Sequence, residues 1–352
     1  MEEKRKIIMD VDTGTDDAVA LIMAMLDEKV DLLGICSVNG NVGVELTTDN
    51  SLRVVELCEK QDTVKVYRGC EAPVASTLMP WTPQSTGIRS EGSIIYNDYH
   101  SMARRDMNKN GGKVPMHPDT LPLPEPTIKE GNESAVVWLI NTLMAAEDNE
   151  ITVIPVGPMT NIGVAMRAEP RICKKIREIV LMGGGHMVNN VSPATEFNIW
   201  ADPEAAEIIL HSGVKVTFVS LDATHSAYIT EEQAKRIKEI GTKPADFVGD
   251  LILHRILAYG QRDVDMHDYK GAPVHDALAV CAVLYPEVLT EVLHTNVHVD
   301  ISRGYAYGQT IVDRRLTQDE EPKNAYFALK ADGSYFYEWM YSVLCKDKER
   351  RG

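Results

Sequence analysis

The chain has 352 residues, 44% of them hydrophobic and 25% charged, a balance that argues for a folded protein with a large core and against wholesale disorder. Its net charge of −16, from 36 basic and 52 acidic residues, counts against a nucleic-acid-binding surface. No apolar run approaches the roughly 18 residues of a membrane span, and the polar Met1–Lys6 leads straight into Ile7-Ile8-Met9 without a signal segment. Cysteines at 36, 58, 70, 173, 281 and 345 form no C-x-x-C pair and read as reduced thiols of a cytoplasmic protein.

In chain order, the apolar runs Lys6–Asp12, Leu32–Val38, Val64–Tyr67, Ile151–Val156, Glu178–Met182 and Val214–Leu221 predict strands. Helical patterns at Asp16–Asp27, Leu46–Glu59, Glu133–Ala146, Met159–Met166 and Pro203–His211 lie between them. The last opens on a capping Asp202 with Pro203 behind it. This alternation predicts an α/β fold: an open, mostly parallel sheet with helices on both faces. Beyond residue 230 the pattern changes. Helices are expected at Thr230–Ile240, Ala245–Tyr259 and His275–Leu284, then a hairpin of Glu291–Ile301 and Tyr305–Val312 across Ser302-Arg303-Gly304. A strand at Ala325–Leu329 and a helix at Tyr335–Leu344 close the chain.

Prolines 115, 118, 122, 124 and 126 preclude a regular element there. Both flanks continue one α/β pattern. Residues 1–352 are therefore expected to form a single domain, with 76–130 a Pro-rich insertion that serves as a lid or binding loop.

Asp10, Asp12, Asp16 and Asp17 fall within eight residues, where the first strand gives way to a helix. Ligands of open α/β sheets bind at such carboxyl strand ends. One or two of these aspartates suit turn or cap positions. Four together repel unless a cation or protons neutralise them. An oxygen-rich set without Cys or His suits a hard cation, Ca2+ or Mg2+. Asp-x-Asp-Thr is also similar to phosphatases of the haloacid dehalogenase class, in which the first Asp is a phosphoryl nucleophile and the metal is Mg2+.

Three further stretches bear on the choice. Pro155-Val156-Gly157-Pro158-Met159-Thr160-Asn161 is a strand end and turn that exposes a carbonyl. Met182-Gly183-Gly184-Gly185 lets a ligand approach backbone closely, and Glu196-Phe197-Asn198 follows it with groups suited to hydroxyls. Val274-His275-Asp276 opens an apolar helix. Taken alone, His275 reads equally as a packed histidine and Asp276 as a cap.

Together these motifs resemble, in order and spacing, the inosine/uridine-preferring nucleoside hydrolases, which cleave N-glycosidic bonds. The resemblance runs from about residue 5 to about residue 345 and implies their Rossmann-like fold. It implies Ca2+ held by Asp12, Asp17, the Val156 carbonyl and Asp276. Asp12 would be the general base acting on a Ca2+-bound water, through an oxocarbenium-like transition state. Asp16 and Asn198 would bind the ribose 2′- and 3′-hydroxyls, Glu196 and Asn190 the 5′-hydroxyl, and Phe197 would be a further substrate-binding residue beside them. Asn41 and Met182 would line the pocket, Asp10 would orient Asp12, and His275 would protonate the leaving base. The same resemblance implies ribonucleoside substrates, a role in purine or pyrimidine salvage, and a homodimer or homotetramer, while charge and the lack of a long apolar run argue against a nucleic-acid or membrane partner. A non-catalytic ribose or nucleoside binder is the alternative on the same fold, with the phosphatase a more distant one.

The sequence departs from the family at the base. Many members carry a His-Gly motif after the third strand, whereas Trp81–Gly92 contains no histidine. Trp81 offers a stacking surface, and Tyr259, Arg262 and His267 are available from the other side. These residues do not define the nucleobase.

Overall fold

Strand β1 (Arg5–Val11) is buried on both faces, and this sets the architecture. Ile7, Met9 and Val11 enter one hydrophobic cluster and Ile8 another. Successive strand side chains point to opposite faces, so β1 must lie inside a sheet covered on both sides. The chain, as a computed structural model, is described for residues 4–75, 114–261, 270–315 and 322–351.

The strands that follow are β2 (Val30–Ser37), β3 (Val66–Arg68), β4 (Ile151–Pro155), β5 (Ile176–Met182), β6 (Val216–Val219), β7 (Ile229–Thr230) and β8 (Gly271–Ala272). After them come β9 (Leu289–Thr295), β10 (Val297–Val299), β11 (Thr310–Val312) and β12 (Ala325–Ala331). The eight-stranded main sheet has the order β3-β2-β1-β4-β5-β6-β12-β9. It is parallel except for β9, which runs antiparallel to β12. Its strand order reverses between β1 and β4, which makes that boundary the crevice for a ligand.

The helices are α1 (Thr15–Leu26), α2 (Val44–Leu57), α3 (Ala135–Ala145), α4 (Thr160–Ala168), α5 (Phe197–Ala201) and α6 (Pro203–Leu210). They continue as α7 (Leu221–Thr224), α8 (Glu231–Lys238), α9 (Lys243–Gly260), α10 (His275–Leu284) and α11 (Gly333–Arg351). One face of the sheet packs Val19, Leu251, Leu278 and Met340, from α1, α9, α10 and α11. The other packs Leu139, Ile162 and Ile209, from α3, α4 and α6. The expected α/β layering is present.

Two expectations need correction. The strand expected at Val214–Leu221 ends at Val219, because the Ser220 side chain accepts from Ala223 N and opens α7. The run Glu291–Ile301 is two strands rather than one arm of a hairpin. β9 stays on the main sheet, whereas β10 pairs with β11 in a separate antiparallel ladder. Asn324 explains the break: its side chain accepts from Val297 N and donates to Val297 O, both at 2.8 Å, and so leads the chain off the β12 ladder. The intervening loop runs from 300 to 309, longer than the turn Ser302–Gly304.

The described part of the Pro-rich segment is tied along α2. Asn50 Oδ1 accepts from Leu121 N at 2.8 Å, Arg53 donates to Leu123 O, and Glu56 accepts from Thr127 N and Ile128 N. Leu121 is 1% exposed, so this stretch is core packing as well as loop. Trp81, with the rest of 76–113, and Arg262 and His267 lie outside the described residues. All six cysteines are unpaired. Among the described residues no helix is long and apolar enough to cross a membrane.

Candidate active site

β1 ends at Val11 and α1 begins at Thr15, leaving Asp12, Thr13 and Gly14 to turn the chain at the crevice. The first amides of a helix need partners. Asp17, in the first turn of α1, reaches back to accept from Asp12 N at 3.1 Å and Gly14 N at 2.9 Å. The loop after β2 closes over the same carboxylates. Asn41 donates from its backbone to Asp12 Oδ2 at 2.6 Å and from its side chain to Asp17 Oδ2 at 3.1 Å. Gly40 is required here, since a Cβ would stand 1.9 Å from Asp12 Oδ2.

Asp16, Asp17 and Asp276 each bring a carboxylate oxygen within 4.8 Å of the other two, all three residues buried. Asp276 arrives at the start of α10. Asp12 is fully buried, and its Oδ1 has no hydrogen-bond partner. Burial, then the charge of Asp17, pushes the Asp12 carboxyl well above the usual range. Burial and Asp16 push Asp17 up to about 6, and burial with Asp16 and Asp17 does the same more strongly to Asp276. Such shifts are what carboxylates show when they are buried and crowded together. The donor set is oxygen throughout, and an orphaned buried oxygen stands beside it. These residues fit a hard dication.

One permanent cation is already present. Arg255, 1% exposed, lies 2.7 Å from Asp16 Oδ1 and donates to Thr15 Oγ1 and Pro273 O, both at 2.9 Å. Sequence reading passed over it. Its signal is a charged residue inside the apolar helical run of α9.

The other predicted residues gather at the same strand ends. Asn198 Nδ2 donates to Val156 O at 2.8 Å and to Met182 O at 3.1 Å, joining the ends of β4 and β5. The Val156 carbonyl therefore already accepts one hydrogen bond and retains one lone pair. Glu196 caps α5: it accepts from Asn198 N at 2.9 Å and Ile199 N at 3.2 Å, and from Gly184 N at 2.9 Å. Burial raises its pKa to about 7. Asn190 Oδ1 accepts from Phe197 N at 3.0 Å, which ties the Gly-rich loop to that helix. Asp10 accepts from Asn161 Nδ2 at 2.7 Å, and its carbonyl accepts from Val156 N at 2.8 Å. Its described contacts thus position Val156 and the β2 end rather than the Asp12 side chain.

His275 closes the far wall. Thr224 donates its hydroxyl proton to Leu221 O, so His275 Nδ1–H donates to Thr224 Oγ1 at 2.7 Å. That leaves His275 Nε2 to accept from the Tyr259 hydroxyl at 2.5 Å. Burial, with Arg255 and His225 nearby, holds the imidazole pKa well below its usual value. His117 also enters the site, its Nδ1 accepting from Thr15 N at 3.2 Å and lying 3.9 Å from Asp16 Oδ1. It sits in the Pro-rich segment, where no periodicity marks it. A Cβ on Gly14 would fall 2.1 Å from His117 Nδ1, so this approach depends on glycine.

An α/β sheet with a buried carboxylate cluster at its switch point could hold a metal cation. The family pattern of the inosine-uridine preferring nucleoside hydrolases matches residues 7–338, and the chain belongs to that family of N-glycosyl hydrolases. It is 35% identical over 338 residues, 95% of each chain, to the pyrimidine-specific ribonucleoside hydrolase RihB of Escherichia coli O157:H7. A purine-preferring ribonucleoside hydrolase from Gardnerella vaginalis superposes with a TM-score of 0.80 at 28% identity, over 98% of this chain and 100% of that one. The inosine-uridine preferring nucleoside hydrolase of Bacillus anthracis shares the fold, with a TM-score of 0.70 at 19% identity, over 97% and 99%.

Proposed function

We propose that this chain hydrolyses the N-glycosidic bond of ribonucleosides with Ca2+ as cofactor and Asp12 as general base. The observation that carries the reading is the unpartnered, buried Oδ1 of Asp12 beside the Asp16, Asp17 and Asp276 cluster. Asp12, Asp17, the Val156 carbonyl and Asp276 would hold the cation. When bound, it lowers the pKa of an attacking water and polarises the ribose hydroxyls. Asp12 takes the proton from the attacking water. The surrounding carboxylates stabilise positive charge developing on the ribose ring.

Asp16 and Asn198 are assigned to the 2′- and 3′-hydroxyls, Glu196 and Asn190 to the 5′-hydroxyl, with Asn41 and Met182 beside the sugar. A site that pairs several hydroxyls rejects the sugar that lacks one, so deoxyribonucleosides should be poor substrates. The named relatives differ in base preference, one pyrimidine-specific and one purine-preferring, while both act on ribonucleosides. The ribose half is therefore the better-supported half of the substrate. His275 is assigned to departure of the base only as half of a pair with Tyr259, since in this arrangement the hydroxyl, and not the imidazole Nε2, carries the shared proton.

The test is free-ribose release from a panel of purine and pyrimidine ribonucleosides, with Asp12→Asn and EDTA-treated protein as controls. Release that disappears in both controls supports the reading, and the panel ranks the base. Silence across the panel with Ca2+ still bound would favour the non-catalytic binder.

A further inference from the structure

We propose that Glu207, His211 and His298 form a second metal site, separate from the carboxylate cluster and suited to a transition-metal dication such as Zn2+. His211 follows Glu207 by four residues at the end of α6, so the two share a helix face. β10 brings His298 to the same point. A ring nitrogen of each histidine and a carboxylate oxygen of Glu207 lie within 4.8 Å of one another. Glu207 Oε1 is 3.0 Å from His298 Nδ1 and 3.5 Å from His211 Nδ1. Tetrahedral ligands about 2.0–2.1 Å from zinc stand about 3.3 Å apart, so the Glu207–His298 spacing is already close to that of a coordination shell, and His211 stands within a ring turn of it. The imidazole rings lie 5.9 Å apart, centre to centre.

A simple ion pair would need one histidine. Here both converge on one oxygen, while Glu207 Oε2 is held by Val299 N at 2.8 Å. That bond fixes the carboxylate as a second-sphere partner would. His211 Nδ1 also donates to the Glu207 carbonyl at 3.0 Å, a bond that a turn of its exposed ring would release. Two nitrogens and one oxygen favour Zn2+, Cu2+ or Ni2+ over Ca2+, the reverse of the all-oxygen cluster. A bound ion would staple α6 to the β10–β11 ladder. Glu207, His211 and His298 are not part of the Asp16, Asp17 and Asp276 cluster, so the expected effect is on stability rather than on the reaction.

The probe is Cu2+, added to the full chain in excess Ca2+ and read by electron paramagnetic resonance. The expected result is one copper per chain with hyperfine coupling to two nitrogens, displaced by Zn2+, and a melting temperature raised by Zn2+. His211→Ala and His298→Ala should each weaken copper binding at least tenfold and leave ribonucleoside turnover unchanged, which also shows that the variants fold. Copper without nitrogen coupling, or a two-nitrogen signal that survives in the double variant, would overturn the proposal.

Discussion

Arg255 and Asp16 form a 2.7 Å ion pair in which both partners are shut off from solvent. The guanidinium is the built-in counter-charge of a site otherwise made of carboxylates. Removing one member of a buried pair costs about 3–5 kcal/mol, because the other is left charged and unpaired. Arg255→Met is therefore expected to lower unfolding stability by about 3 kcal/mol in EDTA, and by less in saturating Ca2+, which supplies a replacement charge. Urea unfolding under both conditions checks this. Equal losses would mean that Arg255 acts through packing and its bonds to Thr15 and Pro273 alone.

Asn198 joins two strand ends by donating to two carbonyls. An aspartate there would set its oxygens against Val156 O and Met182 O, replacing attraction by repulsion at both. Leaving buried acceptors unpaired costs about 1–3 kcal/mol each. Asn198→Asp is thus expected to reduce kcat/KM by roughly 100-fold, which is about 2.7 kcal/mol. Asn198→Ala should lose less. Steady-state ribose release with both variants gives the order, and a milder aspartate variant would show that the carbonyl tie does not set the site.

The legible parts of the site are those whose chemistry sits at strand ends. Asp12, Asp17, Val156 and Asp276 each follow an apolar run or open a helix, and the structure brings them to one crevice. Asp16 was legible as a residue, but its pairing with Arg255 was not, because the contact joins α1 to α9 across a long sequence separation. His117 was illegible for a different reason. Its neighbours Pro115 and Pro118 erase periodicity, and its position depends on ties from Asn50 and Arg53 to the segment behind it. The parallel core was readable from alternation. The division between β9 and β10 was not, since it rests on one side chain, Asn324, just before β12 and distant in sequence.

A carboxylate cluster that fits a dication should make stability depend on that dication. A ligand that binds only the folded state at 100 times its Kd adds about 2.7 kcal/mol. Ca2+ is expected to raise the melting temperature of the EDTA-stripped chain, with Mg2+ less effective because it demands stricter geometry. Asp17→Asn and Asp276→Asn should abolish the Ca2+ increment, whereas His298→Ala should retain it. A Ca2+ increment that persists in both aspartate variants would place the calcium ion elsewhere.

Asp202 links three segments, accepting from Ala205 N at 3.1 Å, Val74 N at 2.9 Å and Thr160 Oγ1 at 2.6 Å. Burial nevertheless pushes its pKa from 3.8 up to about 6. A carboxyl whose folded pKa is raised binds its proton more tightly in the native state. Its stabilising contribution is therefore complete below pH 3.8 and is lost as pH rises through about 6. At about 1.36 kcal/mol per pKa unit, the loss is roughly 3 kcal/mol. Asp202→Asn does not titrate and still caps α6, but its amide nitrogen meets Val74 N–H and costs about 1–3 kcal/mol. The wild type should therefore exceed the variant in stability by most at and below pH 3.8, and the gap should close or reverse as pH rises through about 6. Other titrating groups cancel in that difference when urea unfolding of the two proteins is compared at each pH. A gap that widens with pH would mean that the three hydrogen bonds outweigh burial and hold the folded pKa of Asp202 below its unfolded value.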